Sequence, residues 1–154
     1  MRRRPETPPY IAIHLPTLES LCISYGVALM MLFGSRATGY ARADSDYDIG
    51  VLFAGIPPDV AAILSLHSDL QRTLATDRVD LAVLNTASTL LRFQVSQTGI
   101  PLVAREATAY PKFCVRSLQE NNDARLFYEA ERIYLHQRFD VPPGSAEGSG
   151  ESTW

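Results

Sequence analysis

Apolar residues along the chain follow two spacings that alternate from one end of the sequence to the other. Continuous apolar runs of strand length are separated by segments in which apolar residues recur every three or four positions, as on one face of a helix. The predicted strands are 27–33, 46–53, 78–84 and 100–103. The predicted helices are 17–26, 35–41, 57–75, 86–98 and 108–139, the last of which could be divided at 121–123. Strands alternating with helices predict an α/β domain with a small sheet.

Two features of this pattern are specific enough to be checked residue by residue. Thr17 is predicted to cap the first helix, and Gly26 to end it. In the last helical region the predicted buried positions are Phe113, Leu118, Leu126, Phe127, Ala130, Ile133 and Tyr134.

The 154-residue chain has the length of one ordinary domain, which we place at residues 10–140. Residues 1–9 include three consecutive arginines, and we expect them to form a flexible basic terminus. Residues 141–154 are rich in proline, glycine and serine and have no periodicity, which predicts a disordered tail.

Composition excludes several classes of protein. A hydrophobic content of 46% with 20% charged residues is typical of a soluble globular protein, and the apolar runs are too short to span a membrane. No signal-peptide pattern follows the N-terminal arginines, so we expect a cytoplasmic protein without a membrane partner. The net charge of −3 argues against a surface for direct nucleic-acid binding.

The first candidate functional residues lie where a predicted strand ends and a helix begins. Gly34 and Ser35 follow the apolar run 27–33 directly. Backbone N–H groups at the start of a helix, together with a serine hydroxyl, can bind an anion, and the helix dipole favours negative charge there. This pattern indicates a phosphate-binding turn.

Two carboxylates open the second predicted strand. Asp46 and Asp48 are one residue apart, and alternate strand residues point to the same side. They can therefore share hard cations such as Mg²⁺ with substrate phosphates. Asp44 and Asp46 have the same spacing, but that pairing leaves Asp48 unexplained and we reject it.

A third carboxylate, Asp80, lies within the apolar strand 78–84. Taken alone it could be an aspartate that faces solvent. Neighbouring strands are about 4.8 Å apart, so Asp80 could also reach the site of Asp46 and Asp48. Carboxylates that close repel by about 4 kcal/mol per pair at 4 Å and an effective dielectric of 20. Divalent cations would relieve this repulsion, so the three acids predict a metal site.

The order of these residues resembles the DNA polymerase beta-like nucleotidyltransferase superfamily, whose signature is G-S, a spacer, D-x-D and an acid on a later strand. The ten-residue spacer and the short chain are most similar to the minimal nucleotidyltransferase (MNT) branch. The resemblance covers about residues 18–138. It implies the nucleotidyltransferase fold, with a small mixed sheet flanked by helices and a helical C-terminal region.

The resemblance also implies roles for the phosphate-binding turn. Gly34 and Ser35 would hold the triphosphate of ATP, the expected substrate. Arg36 could contact a phosphate, or it could be an exposed helix arginine. Many MNT proteins have the sequence G-S-x-A-R-G. This chain has Thr38 at the position of that arginine, so one basic contact of the family pattern is missing.

For the acids, the resemblance implies metal binding and catalysis. Asp46 and Asp48 would bind two Mg²⁺ ions, and Asp80 would complete the metal site and help deprotonate the acceptor hydroxyl. Nucleotidyl transfer would then join AMP to an acceptor and release pyrophosphate.

Three functions remain open at this point. MNT proteins serve as antitoxins to HEPN ribonuclease toxins, which implies transfer of AMP from ATP to a tyrosine of a cognate HEPN partner. The alternatives are a small-molecule, aminoglycoside-like nucleotidyltransferase and an antitoxin that blocks its toxin by occlusion alone. Aromatic residues of the last helical region could contribute to a partner interface, although such a stripe is more often part of the core. These residues are Phe113, Phe127, Tyr134 and Phe139.

Overall fold

A four-stranded mixed sheet forms the centre of the fold in the computed structural model, which describes residues 6–139. The strands are β1 (Val27–Phe33), β2 (Tyr47–Phe53), β3 (Val79–Val83) and β4 (Ile100–Ala104). Their order is β3-β2-β1-β4, with β1 antiparallel to both β2 and β4 and with β2 parallel to β3. The predicted small mixed sheet with flanking helices is therefore confirmed.

Helices connect or precede the strands in the predicted order. They are α1 (Pro9–Ala12), α2 (Leu15–Tyr25), α3 (Ser35–Thr38), α4 (Val60–Leu74), α5 (Thr89–Thr98) and α6 (Ala109–Phe139). Asp59 and Ser88 accept hydrogen bonds from the first turns of α4 and α5 through their side chains. These caps explain why both helices begin three residues later than predicted.

The sheet is covered on both faces, which explains why β1 is apolar at every position. Met30 and Leu32 belong to an apolar cluster with α2 and α4. Leu29 and Met31 belong to a second cluster with Val95 of α5 and with α6. A strand buried on both faces has no alternation of polar and apolar residues.

Several predicted boundaries are wrong. Helix α2 begins at Leu15 with His14 as its N-cap, so Thr17 is not the cap, and the short helix α1 was not predicted. Helix α3 ends at Thr38 because Gly39 takes a left-handed conformation, three residues before the predicted end. Strand β2 begins at Tyr47, one residue after Asp46.

The last helical region is one continuous helix across 121–123, so the division considered there does not occur within the helix. The chain nevertheless forms two compact units, whose described parts are 6–121 and 122–139. Phe113 is buried as predicted. The other predicted buried positions are all exposed: Leu118, Leu126, Phe127, Ala130, Ile133 and Tyr134. The predicted tail at 141–154 lies outside the described residues, and the limits of the predicted domain at 10–140 remain a prediction.

Across residues 6–139, none of the helices combines the length and the apolar character needed to cross a membrane.

Candidate active site

The predicted phosphate-binding turn lies between β1 and α3. Gly34 has φ 71° and ψ −156°, a combination that is essentially accessible only to glycine. The first amides that bond within α3 are those of Ala37 and Thr38, which both donate to the carbonyl of Gly34. The N–H groups of Ser35 and Arg36 therefore come before the hydrogen-bonded part of the helix, as an anion-binding turn requires.

Asp48 lies directly beside this turn. It pairs with Phe33 at the end of β1, one residue before Gly34. A Cβ atom added to Gly34 would overlap Oδ2 of Asp48 and would lie 2.9 Å from its Cγ. The carboxylate of Asp48 therefore occupies the space that a side chain at position 34 would need. The structure brings the predicted phosphate-binding glycine and a predicted metal ligand together.

Asp80 is the direct partner of Asp48 in the parallel pairing of β2 with β3. Paired residues of neighbouring strands place their side chains on the same face of a sheet. Asp80 therefore lies beside Asp48, but β3 is an edge strand and Asp80 is exposed. The cost of burying an isolated charge does not apply to it.

Asp46 precedes β2 and lies at the end of an exposed loop. The loop forms a turn in which the amide of Ser45 donates to the carbonyl of Arg42 and the Ser45 hydroxyl accepts from the Arg42 amide. Two arginine side chains bind the carbonyls just before Asp46. Arg36 donates to the carbonyl of Ser45, and Arg78 donates to that of Asp44.

The three carboxylates interact electrostatically. Burial raises the pKa of Asp48 above its usual value, and the negative charges of Asp80 and Asp46 raise it further. Like charges that are close together disfavour ionisation, so this shift is the expected result of concentrating acids at one place. A cation bound there would have the opposite effect on the pKa.

The donor set is chemically suited to a hard divalent cation, since carboxylate oxygens are the ligands that Mg²⁺ prefers. Within the part of the chain that the structure describes, however, no three His, Cys, Asp or Glu side chains are arranged so that they could hold a metal ion. The acids share one electrostatic environment without forming a closed coordination site. Their role as metal ligands remains a prediction.

Sequence reasoning missed three residues at this site. Arg78 binds the loop before Asp46, and Tyr10 and Tyr47 place their rings against the guanidinium of Arg36. Tyr47 is the central residue of the D-x-D motif, and this position is the feature of the sequence that could have indicated its place at the site. The involvement of Tyr10 and Arg78 depends on tertiary contacts that spacing along the chain does not reveal.

Comparison with known families and proteins gives consistent matches. The family model described as polymerase beta, nucleotidyltransferase matches residues 17–108, which include the turn at Gly34 and all three acids. A protein adenylyltransferase MntA from Aphanizomenon flos-aquae is 28% identical over 106 residues, covering 63% of this chain and 70% of that protein.

Solved structures with a similar fold come from toxin–antitoxin complexes. A chain of a toxin–antitoxin crystal structure with AMP-PNP has a TM-score of 0.65 and 28% identity, and the match covers 79% of this chain and 97% of that one. A chain from the complex of a tri-AMPylated Shewanella oneidensis HEPN toxin with an MNT antitoxin has a TM-score of 0.61 and 26% identity. That match covers 80% of this chain and 96% of the other.

Proposed function

The chain belongs to the polymerase beta nucleotidyltransferase family, and from this premise we propose that it is an antitoxin that transfers AMP from ATP to a tyrosine of a cognate HEPN toxin. The geometric observation that best supports this proposal is the close approach of the Gly34 turn to the carboxylate of Asp48. In this contact the turn that we expect to bind phosphate lies beside the Asp48 carboxylate, which supports the arrangement that nucleotidyl transfer requires. Because ATP is the donor, we place the reaction in the cytoplasm.

The similar proteins support the choice of acceptor. One is a protein adenylyltransferase, and one fold match comes from a complex that contains an AMPylated HEPN toxin. The match to the complex with AMP-PNP supports ATP as the nucleotide.

In the proposed reaction the oxygen of the acceptor hydroxyl attacks the α-phosphorus of ATP. The bond from that phosphorus to the oxygen bridging to the β-phosphate breaks, and pyrophosphate leaves. The amides of Ser35 and Arg36 bind phosphate oxygens, and Asp80 accepts the proton of the hydroxyl. Two Mg²⁺ ions held by Asp46, Asp48 and Asp80 would neutralise charge on the triphosphate and lower the pKa of the attacking hydroxyl.

The test uses ATP labelled in its α-phosphate, with Mg²⁺ and the cognate HEPN protein that the proposal requires. We expect the label on the HEPN protein with the wild type, and at least a 10²-fold slower transfer with Asp46→Asn because a charge on the transition state loses its stabilisation. Asp44→Asn is the matched control, since it removes a carboxylate two residues away and keeps the backbone carbonyl of Asp44 that Arg78 binds.

Two results would contradict the proposal. Absence of label on the HEPN protein with folded wild type would exclude protein adenylylation, and inhibition of the toxin without label would indicate occlusion instead. Equal labelling by Asp46→Asn and wild type would remove Asp46 from the site, and loss of labelling by Asp44→Asn would favour the alternative acid pair.

A further inference from the structure

The loop before Asp46 needs an anchor, because Asp46 lies outside β2 and is not itself paired with a neighbouring strand. Its exposed approach, 40–44, contributes no buried side chain. The backbone after Asp46 is held by the Tyr47 amide, which donates to the carbonyl of Arg78, so precise placement of the carboxylate also needs a contact to the backbone before it. The carbonyl of Ser45, one residue before Asp46, makes that contact with Arg36.

Arg36 binds this carbonyl with two nitrogen atoms. Nε and Nη2 lie 3.1 Å and 2.8 Å from the oxygen of Ser45. The guanidinium also lies 4.0 Å from the centre of the Tyr47 ring, which is close enough for a cation–π interaction. The two hydrogen bonds to the Ser45 carbonyl and the contact with the Tyr47 ring fix the orientation of the guanidinium. The Ser45 carbonyl is held in place by the same contacts.

Helix α1 contributes to the same cluster. The ring of Tyr10 lies 5.6 Å from the guanidinium of Arg36 and meets the Tyr47 ring edge to face at 5.7 Å. The next residue, Ile11, is fully buried in the apolar cluster that the sheet forms with α2 and α4, and this burial anchors α1. Tyr10 lies before the part of the chain that matches the family model, residues 17–108.

We propose that Arg36 is a positioning residue that holds Asp46 in place through the carbonyl of Ser45, and that Tyr10 of α1 supports it. This inference rests on the proposed function for its activity readout. It differs from the expectation that Arg36 contacts a phosphate, because two of its nitrogens are already bound to the loop. The N-terminal helix then takes part in organising the active site.

Substitution by lysine separates the two roles of Arg36. Lysine keeps the positive charge that a phosphate contact needs, but it lacks the planar donor fork and the flat face that stacks on a ring. A positioning role predicts that Arg36→Lys is as impaired as Arg36→Met. A phosphate contact predicts that Arg36→Lys keeps much of the activity and that Arg36→Met mainly raises KM for ATP.

Tyr10 supplies an independent variant, because its ring lies on the guanidinium and not on the loop. Tyr10→Leu removes the aromatic face, and Tyr10→Phe keeps it. Arg72→Met is the control for loss of an arginine, since the Arg72 side chain is 78% exposed on α4 and pairs with Asp69. Thermal melts of every variant establish that the fold is intact.

The experiment measures kcat and KM of AMP transfer, together with hydrogen–deuterium exchange of residues 42–48 in the protein without nucleotide. The amides of Ser45 and Tyr47 are hydrogen-bonded to the carbonyls of Arg42 and Arg78, so loosening of the loop would speed their exchange. We expect kcat to fall by roughly 10²-fold in both Arg36 variants with little change in KM. Tyr10→Leu should show the same changes to a smaller degree, and Tyr10→Phe and Arg72→Met should match the wild type.

Wild-type exchange in the Arg36 variants would overturn the positioning role, whatever their activity. Near-normal kcat in Arg36→Lys would also overturn it, and would favour the phosphate contact. If the Arg36 variants do not fold, Tyr10→Leu decides, and normal exchange in that variant would contradict the role of α1. Failure of the wild type to transfer AMP would instead contradict the proposed function. The exchange measurement would still test the contact between Arg36 and the Ser45 carbonyl.

Discussion

At the scale of single residues, the closest link between the phosphate-binding turn and the acids is the space shared by Gly34 and Asp48. The backbone at Gly34 has a positive φ that favours glycine, and its missing Cβ leaves room for the Asp48 carboxylate. A side chain at position 34 would therefore be unfavourable for two reasons: the backbone conformation strains it, and its Cβ would overlap the Asp48 carboxylate.

Gly34→Ala should displace the Asp48 carboxylate and strain the turn. We expect a loss of about 1–3 kcal/mol in the free energy of unfolding from the backbone conformation, and a fall in AMP transfer of roughly 10²-fold. Urea denaturation and rate measurements on the folded fraction separate the two effects.

Gly26→Ala is the matched control for that substitution. Gly26 has φ 72°, but nothing lies within 4 Å of an added Cβ, and it precedes the opposite end of β1. It should lose stability while keeping its activity. Equal loss of activity in both variants at equal folding would contradict a specific clash with Asp48.

The pKa of Asp48 makes a prediction about stability. Folding raises this pKa above its usual value of 3.8 through burial and the charges of Asp80 and Asp46, so the folded state holds the proton more tightly than the unfolded chain. The stability that this group contributes is fully present below pH 3.8 and is lost as the pH rises through the raised pKa. Asp48→Asn removes the ionisation.

We therefore expect Asp48→Asn to melt at a higher temperature than the wild type at pH 7, without AMP transfer. The difference should shrink as the pH falls toward 3.8, which melts over a pH series would follow. A constant difference at all pH values would show that the ionisation of Asp48 is not its cause.

The residues of the site were accessible from sequence to different degrees. Gly34, Asp46 and Asp48 lie within 15 consecutive positions, so their proximity follows from local structure. Asp80 required a guess about strand order, which the parallel pairing of β2 with β3 confirms. Arg78 and Tyr10 were missed because an arginine or a tyrosine can make cation–π or carbonyl contacts with any element that happens to pack beside it.

At the scale of secondary-structure elements, the register between β2 and β3 decides whether Asp48 and Asp80 face each other. Asn85 extends that register beyond the end of β3. Its side chain accepts from the amide of Phe53 at 2.9 Å and donates to the carbonyl of the same residue at 3.1 Å. Phe53 and Asn85 are 32 positions apart, the same offset as Asp48 and Asp80.

Asn85→Ala should leave the amide and the carbonyl of Phe53 without this partner. We expect a loss of about 1–3 kcal/mol in the free energy of unfolding, measured by urea denaturation. Asn122→Ala on the exposed surface of α6 should change it by about 0.5 kcal/mol or less. If the two substitutions have equal effects, the bridge from Asn85 does not stabilise the end of the sheet.

Sequence patterns located all four strands of the sheet because each is a short apolar run between glycine, proline or polar residues. Helix boundaries were less accurate. The cap at Asp59 was hidden by the two prolines before it, and α2 begins two residues before Thr17 because Pro16 can occupy its first turn. Leu126 and Phe127 were predicted to be buried but are exposed, because helical spacing identifies an apolar face and does not determine whether another element covers it.

At the scale of the whole molecule, the described part of the second unit is a single helical segment, 122–139. Several large apolar side chains of this segment are exposed: Leu126, Phe127, Tyr128, Ile133, Tyr134, Leu135 and Phe139. Helical stability in proteins comes mostly from tertiary packing of an apolar face, and these apolar side chains are exposed. We expect its amides to exchange quickly in the isolated protein and to become protected when the HEPN partner is added. Unchanged exchange in a formed complex would exclude this segment from the interface.

Adenylylation adds mass to the partner, so the intact mass of the HEPN protein reports directly on the proposed reaction. After incubation with this protein, ATP and Mg²⁺, we expect a mass increase equal to one or more AMP groups, with loss of ribonuclease activity. The same mixture with Asp46→Asn should leave the mass unchanged. An unmodified HEPN protein after incubation with the folded wild type would rule out adenylylation of this partner.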